Sequence, residues 1–307
     1  MNFIELVNEA ISESGATLTE LDSVDFANPS DPMHRRFKGW TARSWKELQL
    51  SRERWTFMSK RGLGHIGPRI YVRNGNLPAE PLPGDLFEGT INGCSFTVVK
   101  VQTLSGSWSL GTAEAFIDID NIVGEYGLGE VFNRISPANN AAFQIAGRAR
   151  WDFKEFAPDL DDLDYQSVYL GYVDSTPAEY MDSLDFVEWN LWNNYYEADV
   201  GNLSKPAQIT ETPDRLTDLY PSPEKQYRIY FNYERGPQIL ISATDVPDMP
   251  EEFHEIIMWG AVKHYAEWDQ NGALAARALR EYRRYKTRLE NKCLPQLGWA
   301  PNPFNRG

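Results

Sequence analysis

The stretch Asp245-Val246-Pro247-Asp248-Met249-Pro250-Glu251-Glu252-Phe253-His254 opens the last quarter of the chain and decides how it is read. It is rich in helix breakers, and the residues after it have helical spacing. Phe253, Ile257, Gly260 with Ala261, His264 and Trp268 recur every three to four residues, the period of one helix face. The spacing predicts a helix starting near Asp248 or Pro250. Pro suits the first helical position, and Glu251 and Glu252 suit the positive end of the helix dipole. Asn271-Gly272 reads as its stop. A second helix repeats the pattern with Leu274, Ala278, Tyr282, Tyr285 and Leu289. Its other face carries Arg277, Arg280, Arg283, Arg284, Lys286, Arg288 and Lys292. The short connection predicts an antiparallel helical hairpin. A proline-punctuated tail completes the chain, from Pro295 to Gly307.

A helix pair cannot bury its apolar face alone. The partners expected for it lie at the other end of the chain. Ile4, Val7 and Ile11 share one face of a helix over residues 2–13, ended by Ser14-Gly15. Residues 16–30 read as a loop. Asp31-Pro32 supplies a capping side chain and then Pro at the first position, a strong helix start. That helix is expected to run to about Arg54, with a stripe of Met33, Phe37, Trp40, Ser44 and Leu48 widened by Trp45. Four amphipathic helices from opposite ends of the chain make one bundle. The fold class expected is therefore α+β: a discontinuous helical bundle, residues 1–60 plus 245–294, with an inserted antiparallel β-rich domain, residues 61–244, and an extended arm, residues 295–307.

Within the insertion, strand-like runs cover Arg69–Arg73, Leu86–Ile91, Cys94–Gln102 and Ala115–Ile119. Asn92-Gly93 between the second and third is a hairpin signal. Alternation of Phe96 and Val98 against Thr97, Val99 and Val101 predicts a strand covered on both faces. A second β block covers Ala142–Phe153 and Ser167–Val173, separated by an acidic loop, Asp159–Asp164. A helix is expected over Ser183–Tyr196. Then Ala207–Thr212, Leu216–Tyr220 and Tyr227–Tyr233 read as an antiparallel meander.

At 307 residues the chain has room for two structural units. Its net charge of −14 argues against a broad grip on nucleic-acid phosphates. Charge is uneven: Glu155 to Asp218 is strongly acidic, with Lys205 and Arg215 its only basic residues, and the final helix is basic. Such opposite faces suit head-to-tail contacts in a ring, and equally two solvated surfaces. Cys94 and Cys293 make neither a disulfide framework nor a zinc site, and point to a reducing compartment. The N-terminus does not read as a signal peptide, and no stretch approaches the roughly 20 apolar residues of a membrane span.

Catalytic and ligand motifs fail on spacing. His254-Glu255 is followed by Met258 where a zinc-protease helix needs His. His264, on the apolar stripe, reads as a core residue. Asp159–Asp164 has Leu163 and Asp164 at the fifth and sixth positions of a would-be calcium loop. Gly124, Gly127 and Gly129 lack dinucleotide spacing, and no P-loop or nucleophile elbow occurs. One cluster offers an enzymatic alternative. Trp189, Trp192, Tyr195 and Tyr196 beside Asp182, Asp185 and Glu188 could bind or cleave glycans, although aromatics at helical spacing more often form core.

The ordered pattern as a whole resembles the head–tail adaptor (connector) proteins of tailed bacteriophages, in the branch with a large β insertion. The residues that carry this are Phe3-Ile4-Glu5-Leu6-Val7, Glu13-Ser14-Gly15, Trp40, Trp45, Leu48-Gln49 and Trp55-Thr56-Phe57-Met58 near the start. Near the end they are Leu219-Tyr220-Pro221-Ser222-Pro223, Tyr227–Tyr233, Asp245–His254, Tyr265 and Tyr282-Arg283-Arg284. The resemblance is best over residues 1–60 and 205–294. It implies a non-enzymatic structural protein of the virion that needs no cofactor and does not contact membrane. Such a protein is made in the bacterial host cytoplasm. It forms a homo-oligomeric ring, commonly of twelve copies, that docks on the portal, extends the DNA channel without binding DNA specifically, and receives the next tail component. It also implies a portal-docking arm, here Leu297, Trp299, Pro301, Phe304 and Arg306. Arg277, Arg280, Arg284 and Arg288 are then expected at a subunit or portal contact.

Overall fold

The computed structural model describes residues 1–52, 54–136, 142–173 and 181–294. Its helices are α1 (Phe3–Ser14), α2 (Ser23–Ala27), α3 (Pro32–Gln49), α4 (Trp189–Tyr195), α5 (Glu255–Trp268) and α6 (Gly272–Cys293). The chain is α+β, with a closed antiparallel barrel among its sheets. It divides into two compact units, Met1–Lys60 with Glu234–Gly307 and Arg61–Tyr233.

In the first unit, α1, α3, α5 and α6 contribute to one hydrophobic core, with Phe3, Phe37, Trp45, Ile257, Ala278 and Leu289 among its buried residues. The ends are set locally. Asn2 accepts from the Glu5 N–H while the Glu5 carboxylate accepts from the Asn2 N–H, a reciprocal cap on α1. Asp31 caps α3 with Pro32 at its first position. That helix ends at Gln49, short of Arg54. The Leu50 and Ser51 N–H groups and the Ser51 hydroxyl turn back onto carbonyls of its last turn, and the indole of Trp55 donates to the Gln49 carbonyl. The expected loop 16–30 contains α2, capped by Asp22, whose carboxylate accepts from the N–H groups of Val24 and Asp25.

The α5 stripe differs most from expectation. Ile256, Ile257, Met258, Trp259, Gly260, Ala261, Val262 and Ala266 are all buried, so α5 is enclosed nearly all round. A helix apolar on every side belongs inside other helices. Trp268, read as core, is half exposed and meets Arg36 at 4.6 Å. Gly260 is required by close approach: a Cβ there would overlap the Ser44 side chain of α3. Asn271 is less a stop for α5 than the cap of α6, accepting from the Leu274 N–H at 3.1 Å. Leu240 is buried in the same core, and residues 234–244 belong to the unit that contains these helices.

The second unit is built on strands. They are β1 (Ser59–Ile66), β2 (Arg69–Asn76), β3 (Leu86–Gly89), β4 (Ser95–Ser105), β5 (Ala113–Val123), β6 (Val131–Ser136), β7 (Ala142–Gly147), β8 (Leu160–Tyr172), β9 (Asp182–Ser183), β10 (Asp185–Phe186), β11 (Leu203–Ser204), β12 (Gln208–Glu211), β13 (Thr217–Tyr220), β14 (Ser222–Pro223) and β15 (Tyr227–Arg235). The barrel closes in the order β2-β5-β4-β3-β6-β7. Its interior is packed with Phe87, Phe96, Phe132 and Phe143, with ring centroids 4.7 Å apart for Phe87–Phe143 and 4.9 Å for Phe96–Phe132. The Asn92-Gly93 turn joins β3 to β4 as expected, with Gly93 at φ 67°. β4 is covered on one face only: Phe96 and Val98 are buried, and Val99 is 41% exposed.

A second core gathers Ile66, Trp151, Val168, Leu170, Ile209, Leu219, Ile229 and Phe231. One sheet has the order β1-β15-β8-β9 and another β10-β12-β13. β12 and β13 pair antiparallel, but β15 leaves them to lie between β1 and β8, so the three runs are no meander. Most of the acidic run Asp159–Asp164 is the start of β8 rather than a loop. The helix expected over Ser183–Tyr196 is only α4. Ahead of it the Leu184, Asp185 and Val187 N–H groups bond to the carbonyls of Val168, Ala207 and Ile209, and sheet pairing overrides the helical pattern there.

Candidate functional site

Two features stand out as candidates for contact with other molecules, and one buried network holds the β unit in shape. The first feature is the outer face of α6. Ala278, Leu289 and Cys293 are buried, and Leu274, Tyr282 and Tyr285 pack against the same core. At 3.6 residues per turn this leaves Arg280, Arg283, Arg284 and Arg288 on the opposite side, all exposed. Some basic residues of α6 are engaged at home. Arg277 pairs with Glu13 at 2.7 Å and lies over the Trp259 ring, and Lys292 pairs with Glu252. Arg280 and Arg284 share Glu281, at 3.8 and 2.9 Å. Among the described residues no ion pair holds Arg283, Lys286 or Arg288. The expected docking arm, residues 295–307 with Leu297, Trp299, Pro301, Phe304 and Arg306, lies outside the described residues.

The second feature is a cleft of about 580 Å³ between the loops Gly124–Leu128 and Ala198–Leu203. Close to it lies an ion pair that sequence reading missed. Arg148 and Asp218 both have fully buried side chains. The Arg148 Nε donates to both Asp218 carboxylate oxygens at 3.1 Å, and its terminal nitrogens donate to the carbonyls of Asp199 and Leu219. The Trp192 indole adds a further donor to Asp218 at 3.2 Å. Burial pushes the Asp218 carboxyl upward, and the Arg148 guanidinium opposes that shift. Tyr220 and Asn202 extend the network to the Asp199 carboxylate. No spacing rule pairs residues 148 and 218; a lone Arg and a lone Asp in separate segments carry no sequence signal.

The aromatic cluster holds together around Tyr196, which packs on Trp192 with ring centroids 5.1 Å apart. Trp192 is buried, Tyr196 packs on Tyr220 with centroids 4.4 Å apart, Trp189 faces the Arg150 guanidinium, and Tyr195 is 74% exposed. Asp182 pairs with Lys205, while Asp185 and Glu188 are not buried. His264 is nearly buried, 3.3 Å from Glu47, and His254 donates from Nε2 to the Met249 carbonyl at 3.0 Å while its Nδ1 accepts from the N-terminal ammonium of Met1 at 3.1 Å. Burial lowers both imidazoles below their ordinary value. The Cys94 thiol is pushed up to about 11 by burial and by Glu130. Among the described residues no group of three His, Cys, Asp or Glu side chains is placed to hold a metal, and no helix is long and apolar enough to cross a membrane.

The family model for the SU10 adaptor protein matches residues 139–300. The chain belongs to that family. The match spans β7 through α6 and so includes the Arg148–Asp218 network, the cleft loop Ala198–Leu203 and the basic face. It contains the segment 205–294 that carries part of the resemblance, adds 139–204, and leaves residues 1–60 outside. A comparison with curated proteins finds no match. The family is one of phage structural adaptors, which makes this adaptor a virion component.

Proposed function

We propose that this adaptor forms the head–tail joint of a tailed phage: a ring of copies, twelve by resemblance, bound to the portal, extending the DNA channel and offering a surface to the next tail component. The observation that carries this is the family match over residues 139–300. In this reading the helices α1, α3, α5 and α6 work as one bundle domain, assembled from both ends of the chain around the buried α5. The exposed arginines Arg280, Arg284 and Arg288, with Arg277, serve a subunit or portal contact. The arm, with Leu297, Trp299, Pro301, Phe304 and Arg306, docks on the portal. Bulky aromatics on a segment whose prolines limit its conformations lose little entropy on binding. The DNA passes without specific contacts, because a chain of net charge −14 repels phosphates within a Debye length.

The test mixes full-length protein with its cognate portal and measures complex mass by light scattering, with images of intact particles beside it. A ring on the portal is expected, and deletion of residues 295–307 should abolish binding. Particles in which the protein sits away from the portal vertex would overturn the reading.

A further inference from the structure

The basic face of α6 has a counterpart in the same unit. The segment 16–30 carries Glu20, Asp22 and Asp25 and no basic residue. All three acids are exposed, and among the described residues no ion pair holds any of them. Asp22 is occupied with capping α2, so Glu20 and Asp25 are the uncommitted charges. Beside them Val24 is 77% exposed, an apolar knob on a charged ridge.

The ridge is held, not loose. The Asn8 side chain clamps the backbone of Leu21 through both its N–H and its carbonyl, at 2.8 and 2.9 Å. A ring nitrogen of His34 meets the Thr19 carbonyl at 2.8 Å. Phe26 packs edge-on against Phe3 of α1, and Lys38 of α3 donates to the Phe26 carbonyl. The ridge is therefore fixed to α1 and α3. The basic helix α6 is fixed to α5, through Tyr285 on Glu255 and through Arg277 over Trp259. α5 packs against α6 and against both α1 and α3. The acidic ridge and the basic face thus belong to different partners of α5; α6 meets α1 through Arg277 and Glu13, and among the described residues no ion pair joins the ridge to Arg280, Arg283 or Arg288 of the same copy.

We propose that the basic face of α6, through Arg280, Arg283 and Arg288, docks on the acidic ridge Glu20–Asp25 of a second copy. This rests on the ring reading above and names the contact that builds the ring. The two surfaces are rigid, opposite in charge and present on every copy of the chain. A contact joining two different surfaces is heterologous, the kind that builds a ring when its rotation closes. Copies with a net charge of −14 repel each other overall, so a local match of opposite charge decides which surfaces meet. The engaged residues Arg277, Arg284 and Lys292 stay with their partners in the copy they belong to, and Arg280 gives up only its long 3.8 Å contact with Glu281, which Arg284 keeps at 2.9 Å.

The test is a charge exchange on full-length protein assembled on its portal. Variant one carries Arg280→Glu with Arg283→Glu; variant two carries Glu20→Lys with Asp25→Lys. Neither pair includes a helix cap; Arg280→Glu removes the 3.8 Å contact with Glu281 and leaves the Arg284–Glu281 pair at 2.9 Å. Each variant alone presents like charges at every contact, and ring formation should fall at least tenfold. An equal mixture can alternate the two variants, so rings should return, and only with an even number of copies. Circular dichroism and thermal unfolding of the single copies check that both variants fold. Rings of either variant alone at the wild-type level would overturn this contact while leaving the ring reading intact, as would a mixture of folded variants that stays apart. Wild-type copies that never form a ring on the portal would overturn the ring reading, and this contact with it.

Discussion

Replacing Arg148 by Met leaves the Asp218 carboxylate inside the β unit with one donor, the Trp192 indole at 3.2 Å, and no countercharge. The carbonyls of Asp199 and Leu219 lose their side-chain donor at the same time. Breaking one side of a buried pair costs about 3–5 kcal/mol, mostly the burden of the charge left behind. For a domain of about 150–250 residues that lowers the melting temperature by about 6–20 °C. Asp218→Leu should cost a similar amount by stranding the guanidinium. The double variant removes both charges and leaves only neutral groups unpaired, at about 1–3 kcal/mol each. It should therefore be more stable than the sum of the single losses implies, by roughly 3 kcal/mol. Urea unfolding of the full chain, followed by tryptophan fluorescence and by circular dichroism, measures all four corners of the cycle. A double variant whose loss equals the sum of the singles within about 0.5 kcal/mol would show that the two side chains act independently, and would refute the reasoning.

Stability should also fall on mild acidification. Burial holds His254 and His264 below the ordinary value of 6.5, so they stay neutral in the fold while the unfolded chain binds protons. Their contribution is present above pH 6.5 and is lost as pH falls below it, at most about 1.4 kcal/mol per pH unit for each histidine. Unfolding at about pH 7.5, 6.5 and 5.5 should show the decline, and His254→Gln with His264→Gln should flatten it; an unchanged slope would assign the effect elsewhere. Gly260→Ala should destabilise by about 1–2 kcal/mol although Ala favours helix, because the new methyl meets Ser44 of α3. Ser44→Gly in the same chain should return part of that loss, and a Gly260→Ala chain more stable than wild type by urea midpoint would contradict the close approach. Deleting residues 295–307 should leave stability in urea within about 0.5 kcal/mol of wild type while removing portal binding, which separates docking from folding.

Local signals survived where local chemistry sets the structure. Asp31-Pro32 starts a helix because a carboxylate and a fixed φ act within two residues. Asn92-Gly93 turns a hairpin because Gly adopts the required positive φ. Alternation in Tyr227–Tyr233 gives a strand with every second residue buried. Where the structure departs, a distant segment intervenes. Ser183–Val187 has helical spacing, yet Val168, Ala207 and Ile209 offer their carbonyls and extend it. The pattern on α5 shows a stripe, yet partners on several sides enclose it, and Trp268 at its end remains outside.

The sequence by itself determined the family, the mixed α+β class, the Asp31 cap of α3, and the face of α6 that carries the arginines. The family follows from the order of segments along the chain, and the others from residue type at fixed short spacing, both of which a linear reading can follow. Only the tertiary structure decided that six of the strands close into a phenylalanine-filled barrel and that Arg148 meets Asp218, 70 positions away. It also decided that Gly260 of α5 must make room for Ser44 of α3. Those outcomes depend on which surfaces exclude water together, and that choice belongs to the whole chain at once.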